Sequence, residues 1–239
     1  MDLNIKIFAD TADVEKVRQH ADDPRVGGFT TNPTLFRAAG AADYLKHARA
    51  VLDAAAGKPV SLEVIADEPE EMARQARVLA ALGTQVFVKI PITNTRGESS
   101  CPLIRGLLVE GICVNITAVF TYAQVREIAD HIQQIPLSPS PTIISVFAGR
   151  IYDTGMNAAG FMEGYRRIID ARCPHVQLLW ASPRQVYDVV LAERAGADII
   201  TMTPELIAKL PTLGKDLAEF SLDTVQMFYR DAQAAGYAL

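Results

Sequence analysis

Short runs of β-branched and aliphatic residues punctuate the chain at Ile5–Asp10, Val26–Thr30, Val60–Ile65, Gln85–Ile90, Ile112–Thr117, Thr142–Ala148, Val176–Ala181 and Asp198–Met202. Most are almost continuously apolar. An alternating run has one wet face, whereas a continuous one suits a parallel strand covered on both faces. The intervals between runs carry apolar positions at helical spacing. In Ala42–Ala56, the residues Tyr44, Leu45, Ala48, Val51, Leu52 and Ala55 form one stripe. Pro69–Leu82 opens on a proline and acidic residues, as helices do, and stops before Gly83. Tyr122–Gln134, Ala158–Arg172 and Arg184–Ala195 repeat the theme. Gly83, Gly111 and Gly196 each stand where a helix would end ahead of the next strand. Strand followed by helix, eight times over, predicts an α/β fold: a single (β/α)8 TIM barrel. A doubly wound open sheet is the alternative, but it does not need an eighth strand.

Nothing in the pattern splits the chain. The Pro/Ser-rich stretch from Ile135 to Pro141 is short and reads as a loop between a helix and the sixth strand. Residues 1–239 are therefore read as one barrel domain, with 211–239 as a C-terminal helical extension. That extension carries Leu217, Phe220, Leu222, Val225, Met227, Phe228 and Tyr229, more apolar surface than one barrel helix requires. A partner subunit could cover the excess.

Composition narrows the class. With 49% hydrophobic and 21% charged residues in 239, the chain is expected to fold around a large core rather than stay disordered. A net charge of -5 gives no general attraction to nucleic acid or anionic membrane, so an anionic ligand must be held by local basic groups. The N-terminal segment lacks a basic region followed by an apolar one, so it does not read as a signal peptide. No apolar run reaches the length of a membrane span. Cys101, Cys113 and Cys173 form no CxxC pair, and the four histidines show no ligand spacing. Reduced thiols, a cytoplasmic location and no metal are the expectation.

In a barrel the chemistry lies where the strands end. The polar residues there are Asp10, Thr30-Thr31-Asn32, Glu63, Lys89, Asn115, Thr117, Ser145, Arg150, Ser182, Arg184, Thr201 and Thr203. Lys89 stands out, because Val86-Phe-Val-Lys-Ile-Pro91 is otherwise apolar. Desolvation disfavours an ammonium and favours a free amine, which can attack a carbonyl and form a Schiff base. A buried lysine paired with Asp10 or Glu63 for structure alone is the competing reading. Asp10 and Glu63 suit either counter-ion or proton-transfer duty. Asn32, Asn115, Thr117 and Ser145 are of the kind that bind sugar hydroxyls, or that cap helices. Arg150 and Arg184 could clamp a phosphate, or simply be solvated.

The ordered segments Phe8-Ala-Asp-Thr-Ala-Asp13, Thr30-Thr-Asn-Pro33, Ser61-Leu-Glu-Val64, Val88-Lys-Ile-Pro91, Asn115-Ile-Thr117, Ser145-Val-Phe-Ala-Gly-Arg-Ile151 and Ala181-Ser-Pro-Arg184 resemble the transaldolase family of class I aldolases, in its compact branch. The resemblance implies a (β/α)8 barrel with Lys89 as the Schiff-base nucleophile and Asp10 in proton transfer. It implies that Glu63 and Thr117 position a catalytic water. Thr31, Asn32, Asn115, Ser145 and Phe147 then belong to the sugar site, and Arg150, Ser182 and Arg184 to the phosphate site. It implies a transferase of carbohydrate metabolism, in the pentose phosphate pathway. A dihydroxyacetone unit would pass from a ketose phosphate such as fructose 6-phosphate to an aldose acceptor, in a homo-oligomer that needs no cofactor.

Two residues bear on the reaction. Transaldolases proper carry Phe where fructose-6-phosphate aldolases carry Tyr, and here the residue is Phe147. The aldolases also carry Gln where this chain has Glu63. Val146 departs from the Pro of many transaldolases, and the segment Asn94–Pro102 after strand four is unusual. The alternative is therefore an aldolase-type lyase, or a transaldolase acting on a modified ketose such as a sulfonated one.

Overall fold

The computed structural model describes residues 3–135 and 140–238. Most of the Pro/Ser-rich stretch, residues 136–139, lies outside the described residues. Eight strands, β1 (Lys6–Asp10), β2 (Val26–Thr30), β3 (Val60–Glu63), β4 (Val86–Pro91), β5 (Val114–Val119), β6 (Thr142–Val146), β7 (Gln177–Trp180) and β8 (Ile199–Met202), close in sequence order into a barrel. Every neighbouring pair is parallel, including β8 with β1. The structure is thus the TIM barrel that the strand–helix repeat predicts.

Eleven α-helices are described: α1 (Val14–Ala21), α2 (Pro33–Ala38), α3 (Tyr44–Ala54), α4 (Pro69–Ala80), α5 (Cys101–Val109), α6 (Tyr122–Ile132), α7 (Ala148–Asp153), α8 (Ala158–Arg172), α9 (Asp188–Arg194), α10 (Pro204–Ile207) and α11 (Leu217–Ala235). The expected helix from Arg184 begins four residues later. Ser182 adopts a left-handed conformation (φ 61°), and the buried Asp188 carboxylate accepts the backbone N–H groups of Arg184 and Gln185. Those contacts hold 182–187 as a turn. The short α1 and α2 are built on caps: Asp13 accepts from Glu15 N and Lys16 N, and Asn32 accepts from Leu35 N ahead of Pro33.

Two separate cores explain the apolar runs. Strand residues of one phase, among them Leu62, Val88, Ile90, Ile116, Val146 and Trp180, pack outward into the layer beneath the helices. Residues of the other phase, Phe8, Phe87, Ile143, Leu179 and Ile199, fill the barrel itself. Phe8 lies so close to Gly28 that a Cβ there would come within 2.7 Å of its ring, so a glycine makes the room. Two residues further along these strands, still facing inward, come Asp10, Thr30, Lys89, Ser145 and Thr201. The barrel therefore has an apolar plug with a polar layer above it. Among the described residues no helix is long and apolar enough to cross a membrane.

Candidate active site

Strand register sets the polar layer. Glu63 pairs with Lys89, Lys89 with Asn115, and Pro91 with Thr117. Lys89 is only 6% exposed. Its Nζ lies 3.3 Å from Glu63 Oε2 and donates to the carbonyl of Thr31 at 2.9 Å. A buried ammonium is tolerable because those two oxygens replace water. Asp10 stands near this cation. Burial pushes its carboxyl pKa up, against the pull of the Lys89 charge and of a 2.7 Å hydrogen bond donated by Thr30 Oγ1. The hydroxyls of Thr30 and Thr201 bond to each other, so Asp10 is held by a short chain of hydroxyls.

On the far side of Lys89, Asn115 is fixed at both ends. Its Oδ1 accepts from Ser145 Oγ at 2.6 Å and its Nδ2 donates to Ser61 Oγ at 3.0 Å. Thr117 differs: its hydroxyl is buried without a protein partner. Buried polar groups are almost always satisfied, so this one suits a water or a ligand hydroxyl. Next to it Ala118 has φ 59°, at the irregular end of the β5–β6 pairing.

A cavity of about 150 Å³ opens above the layer, lined by Asp10, Asn32, Lys89, Thr117, Ser145, Phe147, Arg150 and Ser182, with Thr30, Thr201 and Ala181. A recess of about 380 Å³ shares Asn32, Lys89, Thr117, Phe147 and Arg150 with it and adds Glu63. Arg150 lies with its guanidinium 5.1 Å from the centre of the Phe147 ring, and Phe147 leans on Phe120 at 5.6 Å. Among the described residues no cluster of three or more His, Cys, Asp or Glu could hold a metal.

The structure thus gathers Asp10, Asn32, Glu63, Lys89, Thr117, Ser145, Phe147, Arg150 and Ser182 around one space, with Asn115 in the floor. Two expected residues sit apart. Thr31 turns its hydroxyl to the carbonyl of Ser61 and offers only its own carbonyl to Lys89. Arg184 is half exposed, forms an ion pair with Asp153 and does not line the cavity. Thr30 and Thr201, which the strand-end reading gives no role, and Ser61, which it does not single out, stand in phase with their strands' inward faces and complete the polar layer.

A family model described as transaldolase/fructose-6-phosphate aldolase matches residues 7–239. The chain belongs to this family. Probable transaldolases of Mesorhizobium japonicum (35% identical), Brucella ovis (34%) and Lactiplantibacillus plantarum (34%) each align with 92% of the chain and 96% of their own length. The transaldolase/aldolase match takes in β1 from Ile7, all of β2 to β8, and the polar layer.

Proposed function

We propose that this chain is a transaldolase that moves a dihydroxyacetone unit between sugar phosphates through a Schiff base on Lys89. The observation that carries the reading is a buried lysine amine at the cavity wall with a carboxylate 3.3 Å away. Glu63 takes a proton from the Lys89 ammonium, and the freed amine adds to the C2 carbonyl of a ketose phosphate such as fructose 6-phosphate. Glu63 and a water seated on the Thr117 hydroxyl pass protons as the carbinolamine loses water to become the iminium. Asp10 takes the C4 hydroxyl proton, the C3–C4 bond breaks and its electrons flow into the iminium. Glyceraldehyde 3-phosphate leaves, and the enamine on Lys89 adds to an acceptor such as erythrose 4-phosphate. The iminium is the electron sink, so the cycle calls for no organic cofactor or metal. Asn32 and Ser145 meet sugar hydroxyls, with Asn115 holding the Ser145 hydroxyl from below and Thr31 steadying Lys89 through its carbonyl. Arg150 and Ser182 meet the phosphate, and Arg184 joins them once released from Asp153.

Phe147 supports transfer over cleavage. A phenol could deliver a proton to the enamine and free the ketone, whereas a phenyl ring cannot. The broad apolar surface of α11 suits burial against a second copy, and the free thiols Cys101, Cys113 and Cys173 suit the reducing cytoplasm. Borohydride reduction in the presence of fructose 6-phosphate, read by peptide mass, tests the reading. An adduct on Lys89, absent from Lys89→Met, is expected; no adduct would sink it. Glyceraldehyde 3-phosphate released in catalytic amounts without an acceptor would make the enzyme a lyase.

A further inference from the structure

We propose that Tyr44 is a positioning residue for this reaction, acting through Glu63, and the proposal rests on the role given to Glu63 above. The pairing of β2 with β3 ends at Thr30 and Ser61, with one more bond from Thr31 N to Ser61 O. Beyond it the chain after β2 turns away into α2. Val64 N–H faces the other side and bonds to Lys89 O at 3.1 Å. In a parallel ladder alternate residues bond to opposite neighbours, so Glu63 presents its N–H and C=O to an edge where no strand remains.

Tyr44 fills that edge. Its hydroxyl donates to Glu63 O at 2.7 Å and accepts from Glu63 N at 3.1 Å. One phenol thus stands in for the missing peptide group. The hydroxyl is itself well seated: the ring stacks on Phe36 at 4.4 Å with planes 14° apart. Tyr44 is also the first residue of α3, which Asp43 caps by accepting from Lys46 N. Without this brace the end of β3 loses two hydrogen bonds beside the residue whose carboxylate faces Lys89 Nζ. Catalytic groups misplaced by a fraction of an ångström lose rate rather than binding.

The test compares Tyr44→Phe, Glu63→Gln and the double variant. Tyr44→Phe keeps the ring stack, and circular dichroism verifies its fold. We expect its kcat to fall by about ten- to a hundred-fold, with KM within about two-fold. In the Glu63→Gln background Tyr44→Phe should cost nothing further, and 3-fluorotyrosine at position 44 should keep wild-type kcat. Wild-type kcat in Glu63→Gln would remove the role of Glu63 itself. Impaired Glu63→Gln with an unimpaired Tyr44→Phe, or an equal cost in both backgrounds, would overturn the role of Tyr44 alone. A measurement on the wild-type protein stands independently of any variant. The Glu63 amide should exchange with solvent as slowly as that of Val64, and fast exchange at Glu63 would overturn the brace.

Discussion

Asp10 answers two opposed demands. In the role of base proposed for it Asp10 must be ionised, yet its burial favours the neutral form and raises its pKa, with Lys89 and Thr30 only partly offsetting this. Because the folded-state pKa lies above the unfolded one, Asp10 contributes stability at acid pH that is lost as the pH rises through the raised value. In the ionised form that a base requires, the buried residue therefore costs stability. Asp10→Asn should melt at or above the wild-type temperature at pH 7 while kcat falls about 10²- to 10⁴-fold; a lower melting temperature would make Asp10 a structural residue. Lys89 and Asp10 were legible in the sequence because an ionisable group in an apolar run demands a reason. Tyr44 was not. Its ring falls on an apolar stripe and reads as packing, and its hydroxyl works on a backbone that only the fold brings near.

At the scale of elements, the long strands and helices follow from period, and their ends follow from contacts that no period carries. Helices of six residues, such as α2 and α7, complete too few turns to leave a stripe, so caps and neighbours define them. The fit of α7 against the β7–α9 turn is tight. A Cβ on Gly149 would lie 1.5 Å from the carbonyl oxygen of Ser182, and backbone cannot yield as a side-chain tip can. Gly149→Ala should destabilise the protein by about 1–3 kcal/mol in thermal or denaturant melts. It should also push Ser182 away from Arg150, raising KM for the proposed ketose phosphate more than it lowers kcat. An unchanged melt would show that the turn is free to move.

For the whole molecule, α11 poses the clearest demand. It runs for 19 residues without one buried side chain, and Leu217, Phe220, Val225 and Phe228 are all exposed. At 100° per residue its apolar positions spread over more than half of the circumference, too broad an arc for docking on its own barrel to hide. Light scattering should return a multiple of the chain mass, and Phe228→Asp with Val225→Asp should lower it; a monomeric wild type would refute the assembly. The barrel's closure has a last consequence. Lys89 faces the cavity only because it shares a phase with Glu63 and Asn115 on either side. One residue gained or lost within β4 would turn Val88 or Ile90 inward and leave the hydrophobic content unchanged. The strands thus behave like a reading frame, intolerant of insertion, while the segments above them are free to vary in length. New substrates in this lineage are expected to come from those segments, such as the turn bridged by Thr93 and Ser99, with the spacing of Asp10, Glu63, Lys89 and Thr117 from their strand starts left untouched.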